Sequence, residues 1–325
     1  MEWRHADGDV RSCVAERCEQ SPVENAMQRA SRVVPSDGLS IWTESFGSPS
    51  DAPLLLIMGA MNQGLFWPRG LCERLADSGC FVIRYDQRDT GLSSIVDFEE
   101  HPYTLADMAD DALAILDAHG VAQACLVGMS MGGYIAQILA AERSERVSGL
   151  VLLSTTADHR PYMAATAGCP LGNAFLPPPT PRYLSYLDYA SRHPASSAAE
   201  DIELRLEGWR ATHGGSLSFP EQETREMLRE SAARTSDPVA PFHHAFAVSS
   251  SPERCGLLHR IAAPTLVIHG IDDPCLPLPH GLYLADSILG ARLLTLDMGH
   301  MLHPALCPQV ATAITGLFGR HCNLT

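Results

Sequence analysis

The sequence predicts an α/β fold, a mostly parallel central sheet flanked by helices with a helical insertion late in the chain, and three observations carry that expectation. Continuous apolar runs of strand length recur at residues 54–58, 80–85, 124–127 and 147–154, the pattern of strands buried on both faces. Helical stretches separate them, so successive strands should run parallel through right-handed crossovers. From about residue 155 to residue 257 the alternation stops, and proline clusters, aromatic residues and helix-like segments replace it. The expected organisation is a flexible N-terminal extension over 1–31, a core made of 32–154 and 258–325, and a helical cap over 155–257.

Each element has its own warrant. Residues 1–31 mix Glu, Arg, Ser and Gln without periodicity, as a flexible extension does, and His5, Cys13 and Cys18 within it fit no standard metal-site spacing. Residues 32–35 and 39–46 flank Ser36-Asp37-Gly38, a turn signal, and read as an antiparallel hairpin that opens the sheet. The run 54–58 ends in Gly59-Ala60, and the loop 60–68 leads to a helix around 69–77. After the strand at 80–85, Thr104 and Asp107 form a capping box for a helix whose Leu105, Met108, Ala112, Leu113 and Leu116 share one face, and Gly120 closes it. Within the insertion, helices are expected at 196–210 and 221–234, and His213-Gly214-Gly215 reads as a turn. The sheet resumes at 265–269, its last strand is 291–296, and a helix over about 305–318 ends the fold.

The stretch Leu126-Val127-Gly128-Met129-Ser130-Met131-Gly132-Gly133 organises the rest. It joins a buried strand to an Ala-, Ile- and Leu-rich helix through a sharp turn, which is the context a nucleophile elbow requires. Small residues flank Ser130 because a side chain at Gly128 or Gly132 would collide with the adjoining strand or helix. Met131 begins the helix, so its backbone N–H is an unpaired first-turn donor, half of an oxyanion hole. The second donor is expected from the loop after the third strand, at Ala60.

Composition excludes several function classes. The 325 residues, 46% of them hydrophobic, have room for one large α/β domain with an insertion or for two small domains, with a sizeable core. A formal charge of -15 argues against nucleic acid or an acidic membrane face as a partner. All 23 basic residues are arginine, which removes every mechanism that needs a lysine. The ten cysteines are scattered without a C-x-x-C, and no apolar run approaches 18 residues; the expectation is a cytoplasmic, reducing environment, no membrane span and no metal.

Serine, then an acid after a late strand, then histidine after the last strand is the chain order of a hydrolase triad on such a sheet. Ser130 is the candidate nucleophile, His300 the general base and Asp273 the acid. Asp273 is preferred to Asp272 because it begins Asp273-Pro274-Cys275-Leu276-Pro277, a turn that aims a carboxylate back at the histidine. His303 is the weaker alternative to His300, being three residues further from the strand. Trp67 in the loop 60–68, with Trp209 and Phe242 in the insertion, are candidate substrate contacts.

These residues resemble the α/β-hydrolase superfamily across about 32–319. More closely, Val34-Pro35-Ser36, Leu55-Leu56-Ile57-Met58-Gly59, the run Val82-Ile83-Arg84-Tyr85-Asp86-Gln87-Arg88-Asp89-Thr90-Gly91, Pro264-Thr265-Leu266-Val267-Ile268 and Met298-Gly299-His300 resemble the aclacinomycin methylesterase group of serine esterases. The resemblance implies Ser130, Asp273 and His300 as triad, and Ala60 and Met131 as oxyanion donors. The expected activity is hydrolysis of a carboxylic ester of a hydrophobic small molecule, methyl esters included, without a cofactor, by a monomer or homodimer. A lactonase, a perhydrolase or a carbon–carbon bond hydrolase would use the same triad. A serine nucleophile excludes the aspartate chemistry of dehalogenases and epoxide hydrolases built on this layout. A non-catalytic binding protein would need no complete serine, acid and histidine set.

Overall fold

The computed structural model describes residues 29–318. Strands β1 (Arg29–Ser36) and β2 (Leu39–Phe46) form an antiparallel hairpin closed by Asp37 and Gly38, both at positive φ (43° and 78°), which matches a two-residue turn to the strand twist. β1 begins at Arg29, inside the stretch expected to be flexible, because Arg29 pairs with Phe46 across the hairpin and reaches buried Glu44 at 2.5 Å. The rest of that stretch, with His5, Cys13 and Cys18, lies outside the described residues.

There follow β3 (Ala52–Ile57), α1 (Arg69–Asp77), β4 (Cys80–Tyr85), α2 (Leu105–Ala118), β5 (Ala124–Met129), α3 (Met131–Glu142) and β6 (Val147–Leu153). The Thr104–Asp107 capping box opens α2: Asp107 Oδ2 accepts the Thr104 N–H at 2.7 Å. Five helices stand between β6 and β7: α4 (Arg160–Thr166), α5 (Pro181–Arg192), α6 (Ala198–Thr212), α7 (Glu221–Arg234) and α8 (His243–Ser249). The chain ends with β7 (Thr265–Gly270), α9 (Pro279–Ser287), β8 (Arg292–Leu296) and α10 (Cys307–Phe318). Helices α4, α5, α8 and α9 go beyond the sequence expectation; α4, α8 and α9 span only two to three turns, too few to show an apolar period.

One sheet runs β1-β2-β4-β3-β5-β6-β7-β8, antiparallel at its first two pairings and parallel from β4 onward. Alternation along the strands divides the core. Leu54, Leu56, Val82, Val127 and Ile268 pack toward α1 and α10, while Leu55, Ile57, Ile83, Leu126 and Val267 pack toward α2, α3 and α9. Each such side chain, wholly removed from water, contributes about 2 kcal/mol of burial. Because β3 to β8 point the same way, the loops that follow them gather at one edge, where open α/β sheets act on ligands. Among the described residues no helix is long and apolar enough to cross a membrane, and Cys72, Cys80, Cys125, Cys169, Cys255, Cys275 and Cys307 are free thiols.

Candidate active site

β5 is buried throughout, and Ser130 breaks it with φ 51° and ψ −118°, a conformation that costs an L-residue about 1–3 kcal/mol. Neighbours hold it there. The Ser130 N–H donates to the Leu153 carbonyl at 3.0 Å, and its own carbonyl accepts from Gly133 N–H at 2.9 Å and Thr155 Oγ1 at 2.7 Å. A Cβ on Gly132 would run into the Ile57 carbonyl, and one on Gly128 into Gly132 itself. Gly59 lies against the serine, where a Cβ would stand 3.2 Å from Ser130 Cβ. Met131 is the first residue of α3, so its N–H has no intrahelical acceptor.

The loop after β3 carries Ala60 beside Gly59. It is braced from three directions. Gln87 Nε2 donates to the Met58 carbonyl at 2.5 Å, His244 Nδ1 accepts the Met61 N–H at 3.0 Å, and Gln63 Nε2 donates to the Ser231 carbonyl at 2.9 Å. Buried Asp86 accepts the Gly64 N–H at 2.8 Å and pairs with Arg234 at 2.5 Å; burial pushes its carboxyl above the ordinary range, against the pull of that arginine. Residues 85–91, noted in the sequence only as a resemblance, therefore support this loop from behind.

Asp273 and His300, the candidate acid and base, meet on the loops after β7 and β8. Asp273 Oδ2 accepts from His300 Nδ1 at 2.8 Å, and its Oδ1 accepts the N–H groups of Cys275 and Leu276, each at 2.9 Å. Burial raises the Asp273 carboxyl, but His300, with lesser help from His269 and the Leu276 N–H, outweighs it and leaves the group below its ordinary value. A charged carboxylate is therefore kept beside the imidazole. Among the described residues no hydrogen bond joins Ser130 Oγ to His300, whose ring is held by Asp273 on its Nδ1 side. His303 points elsewhere: its Nε2 donates to the Ser218 carbonyl at 3.0 Å and its Nδ1 accepts the Ala305 N–H at 3.1 Å.

Asp272 is bonded to a different segment. Its Oδ2 accepts the Gly215 N–H at 3.2 Å, Asp297 Oδ1 accepts the Ser216 N–H at 3.1 Å, and the His300 N–H donates to the Thr212 carbonyl at 2.9 Å. His213-Gly214-Gly215, expected only as a turn, is thus a dock that fastens the end of α6 to the histidine loop. A Cβ on Gly299 would meet the Thr212 carbonyl, so the approach depends on glycine.

Two further groups lie against the acid. Buried His269 donates its Nε2–H to the Leu276 carbonyl at 2.7 Å and stands 3.6 Å from Asp273 Oδ2; burial holds its pKa below the ordinary value. Cys275 Sγ lies within 4.8 Å of both the Asp273 carboxylate and the His300 ring. Burial pushes this thiol well up, so it is a neutral neighbour rather than a thiolate ligand. Nothing in local sequence pattern marks either residue.

The three candidate substrate contacts separate. Trp67 and Trp209 line one cavity of about 420 Å³ with Phe66, Met129, Phe219 and Met301; Trp209 stacks on Phe66 with ring centres 5.2 Å apart. Arg69, Arg84, Glu223 and Glu230 also line it, whereas Ser130 and His300 do not. The Trp67 indole N–H is buried without a partner. Phe242 is not on this cavity and is 56% exposed, in a short turn before α8.

Residues 52–304 match a family model described as alpha/beta hydrolase fold. The chain is 41% identical over 290 residues to rhodomycin D methylesterase DauP from Streptomyces sp. (strain C5), covering 87% of this chain and 96% of that protein. It is 39% identical over the same length to rhodomycin D methylesterase DnrP from Streptomyces peucetius, with the same coverage of each. Among solved structures, a hydrolase from Pseudomonas aeruginosa superposes with a TM-score of 0.66 at 26% identity, over 91% of this chain and 99% of that one. The enol-lactonase from Burkholderia xenovorans LB400 superposes at 0.69 and 21% identity, over 89% and 100%, a likeness of fold alone.

Proposed function

Because the chain belongs to the α/β-hydrolase family and is a carboxylic ester hydrolase, we propose that Ser130, His300 and Asp273 are its nucleophile, general base and acid. Ser130 Oγ attacks the ester carbonyl as His300 Nε2 takes its proton. Asp273 holds the ring so that Nδ1 carries the other proton, and stabilises the imidazolium that forms. The Ala60 and Met131 N–H groups receive the developing oxyanion. The imidazolium then protonates the leaving alcohol, and water, deprotonated by the same ring, frees the acyl group from Ser130. The observation that carries this reading is the 2.8 Å Asp273–His300 contact on the loops beyond a strained serine at the elbow.

The five helices between β6 and β7 act in this reading as a cap that selects substrate, with Trp209 its candidate contact for an apolar acyl group. Methylesterase relatives over most of the chain favour the methyl ester of a bulky aromatic acid. The free thiols support a reducing, cytoplasmic setting, for a monomer or homodimer acting on small molecules. A panel of methyl, short-acyl and lactone substrates compared by kcat/KM tests the assignment, alongside fluorophosphonate labelling. Labelling at a residue other than Ser130, or a preference for lactones over every ester, rejects it.

A further inference from the structure

We propose that His244, on α8 of the cap, is a positioning residue for the oxyanion hole, holding the Met61 amide and through it the Ala60 N–H. The inference rests on the reading of Ala60 as an oxyanion donor. Met61 has φ 64°, a left-handed conformation that a long side chain adopts only when its surroundings impose it. The group that imposes it is His244: its Nδ1 accepts the Met61 N–H at 3.0 Å, while its Nε2 donates to the Arg88 carbonyl at 2.8 Å. A carbonyl can only accept and an amide can only donate, so the ring is locked in one neutral tautomer. It is wholly buried, and burial pulls its pKa down to about 4, which keeps that tautomer in place at neutral pH. Ala60 is one peptide unit from the held amide, and its carbonyl is itself taken by Asn62 Nδ2 at 3.0 Å. The direction of the Ala60 N–H is thus set from the cap, which need not touch substrate to affect the rate.

The two ring nitrogens can be tested separately. His244→Asn keeps an acceptor near the Nδ1 position and loses the donor to Arg88; His244→Gln keeps a donor near the Nε2 position and loses the acceptor for Met61. Each variant is measured for kcat and KM on p-nitrophenyl acetate and for the Ki of an aryl trifluoromethyl ketone, whose hemiketal oxygen occupies an oxyanion hole. His244→Gln is expected to lower kcat about 10- to 100-fold with KM little changed, and to weaken the ketone by a similar factor. His244→Asn should stay within about threefold of the parent on the same scale. Should His244→Gln fold poorly, the same substitution in a Met61→Gly background keeps the test open, since glycine adopts the left-handed conformation unaided and the cost should shrink several-fold. Equal losses in the Asn and Gln variants, or a fall in kcat without a matching loss of ketone affinity, would show a merely structural histidine and overturn the inference. A parent enzyme that the ketone fails to inhibit although a fluorophosphonate labels Ser130 would overturn the oxyanion reading itself, and this inference with it.

Discussion

Asp272 and Asp273 are adjacent in the chain and hold different partners, one the Gly215 N–H at 3.2 Å and the other His300 Nδ1 at 2.8 Å. Asp273→Asn is therefore expected to lower kcat/KM on p-nitrophenyl acetate by about 10³- to 10⁴-fold, because an amide cannot stabilise the imidazolium and favours the wrong tautomer. Asp272→Asn keeps an oxygen for Gly215 and should cost less than about tenfold. Steady-state rates of the two variants check this, and comparable losses would refute the assignment.

Replacing Ser130 separates chemistry from stability. Ser130→Ala should lower kcat by at least about 10³-fold and abolish fluorophosphonate labelling. Ser130→Gly should be equally inactive yet more stable by about 1 kcal/mol, because glycine takes φ 51° without strain and only part of that gain is offset by its freer unfolded chain. Thermal melting of the three proteins decides it; a glycine variant that melts below the alanine variant would contradict the strain at the elbow.

Acid should unfold the protein over a defined window. His159, His244 and His280 are buried, and burial lowers each to about pKa 4, against an ordinary 6.5. Between those values the unfolded chain binds protons that the folded chain refuses, so stability is fully present above pH 6.5 and is lost as pH falls toward 4. Each such histidine contributes a slope of about 1.4 kcal/mol per pH unit within the window. Melting temperature should be nearly level from pH 7 to 8 and fall steeply below pH 6, and a flat profile down to pH 5 would count against buried neutral rings.

Trp209 and Phe242 should differ as determinants of substrate. Trp209→Ala opens the cavity beside Phe66 and should lower kcat/KM for a methyl ester of a bulky aromatic acid about tenfold more than for p-nitrophenyl acetate. Phe242→Ala, at an exposed position off that cavity, should shift the same ratio by less than about threefold. Competition assays with the two substrates read this ratio directly; a larger effect from Phe242 would place the acyl group away from that cavity.

What was legible in the sequence was what neighbouring residues determine together. The elbow is written in eight consecutive residues, the α2 cap in Thr104 and Asp107, and the hairpin turn in Asp37 and Gly38, since each interaction closes within a few positions. The turn at Asp273 is likewise local, its carboxylate accepting the two amides just beyond it. What escaped were contacts between distant segments. His244 meets Met61 across 183 positions and Gly215 meets Asp272 across 57, and neither pair has a signature within its own stretch. The short helices α4, α8 and α9 escaped for a different reason, that two or three turns under tertiary packing need no strong propensity of their own.

The segment between β6 and β7 is fastened to the core at two places, through Thr212 to the His300 amide and through His244 to the Met61 amide. Modules that recombine freely are those whose boundaries few contacts cross. An exchange cut at residues 155 and 257, the proposed bounds of the cap, would import a new acyl preference and at the same stroke remove the acceptors of the His300 and Met61 amides, which in the proposed mechanism steady the base and the oxyanion loop. Chimeras of this enzyme should therefore bind their new esters well and turn them over poorly unless the incoming segment brings its own carbonyl and imidazole to those two places, so that selectivity and rate are inherited as one unit.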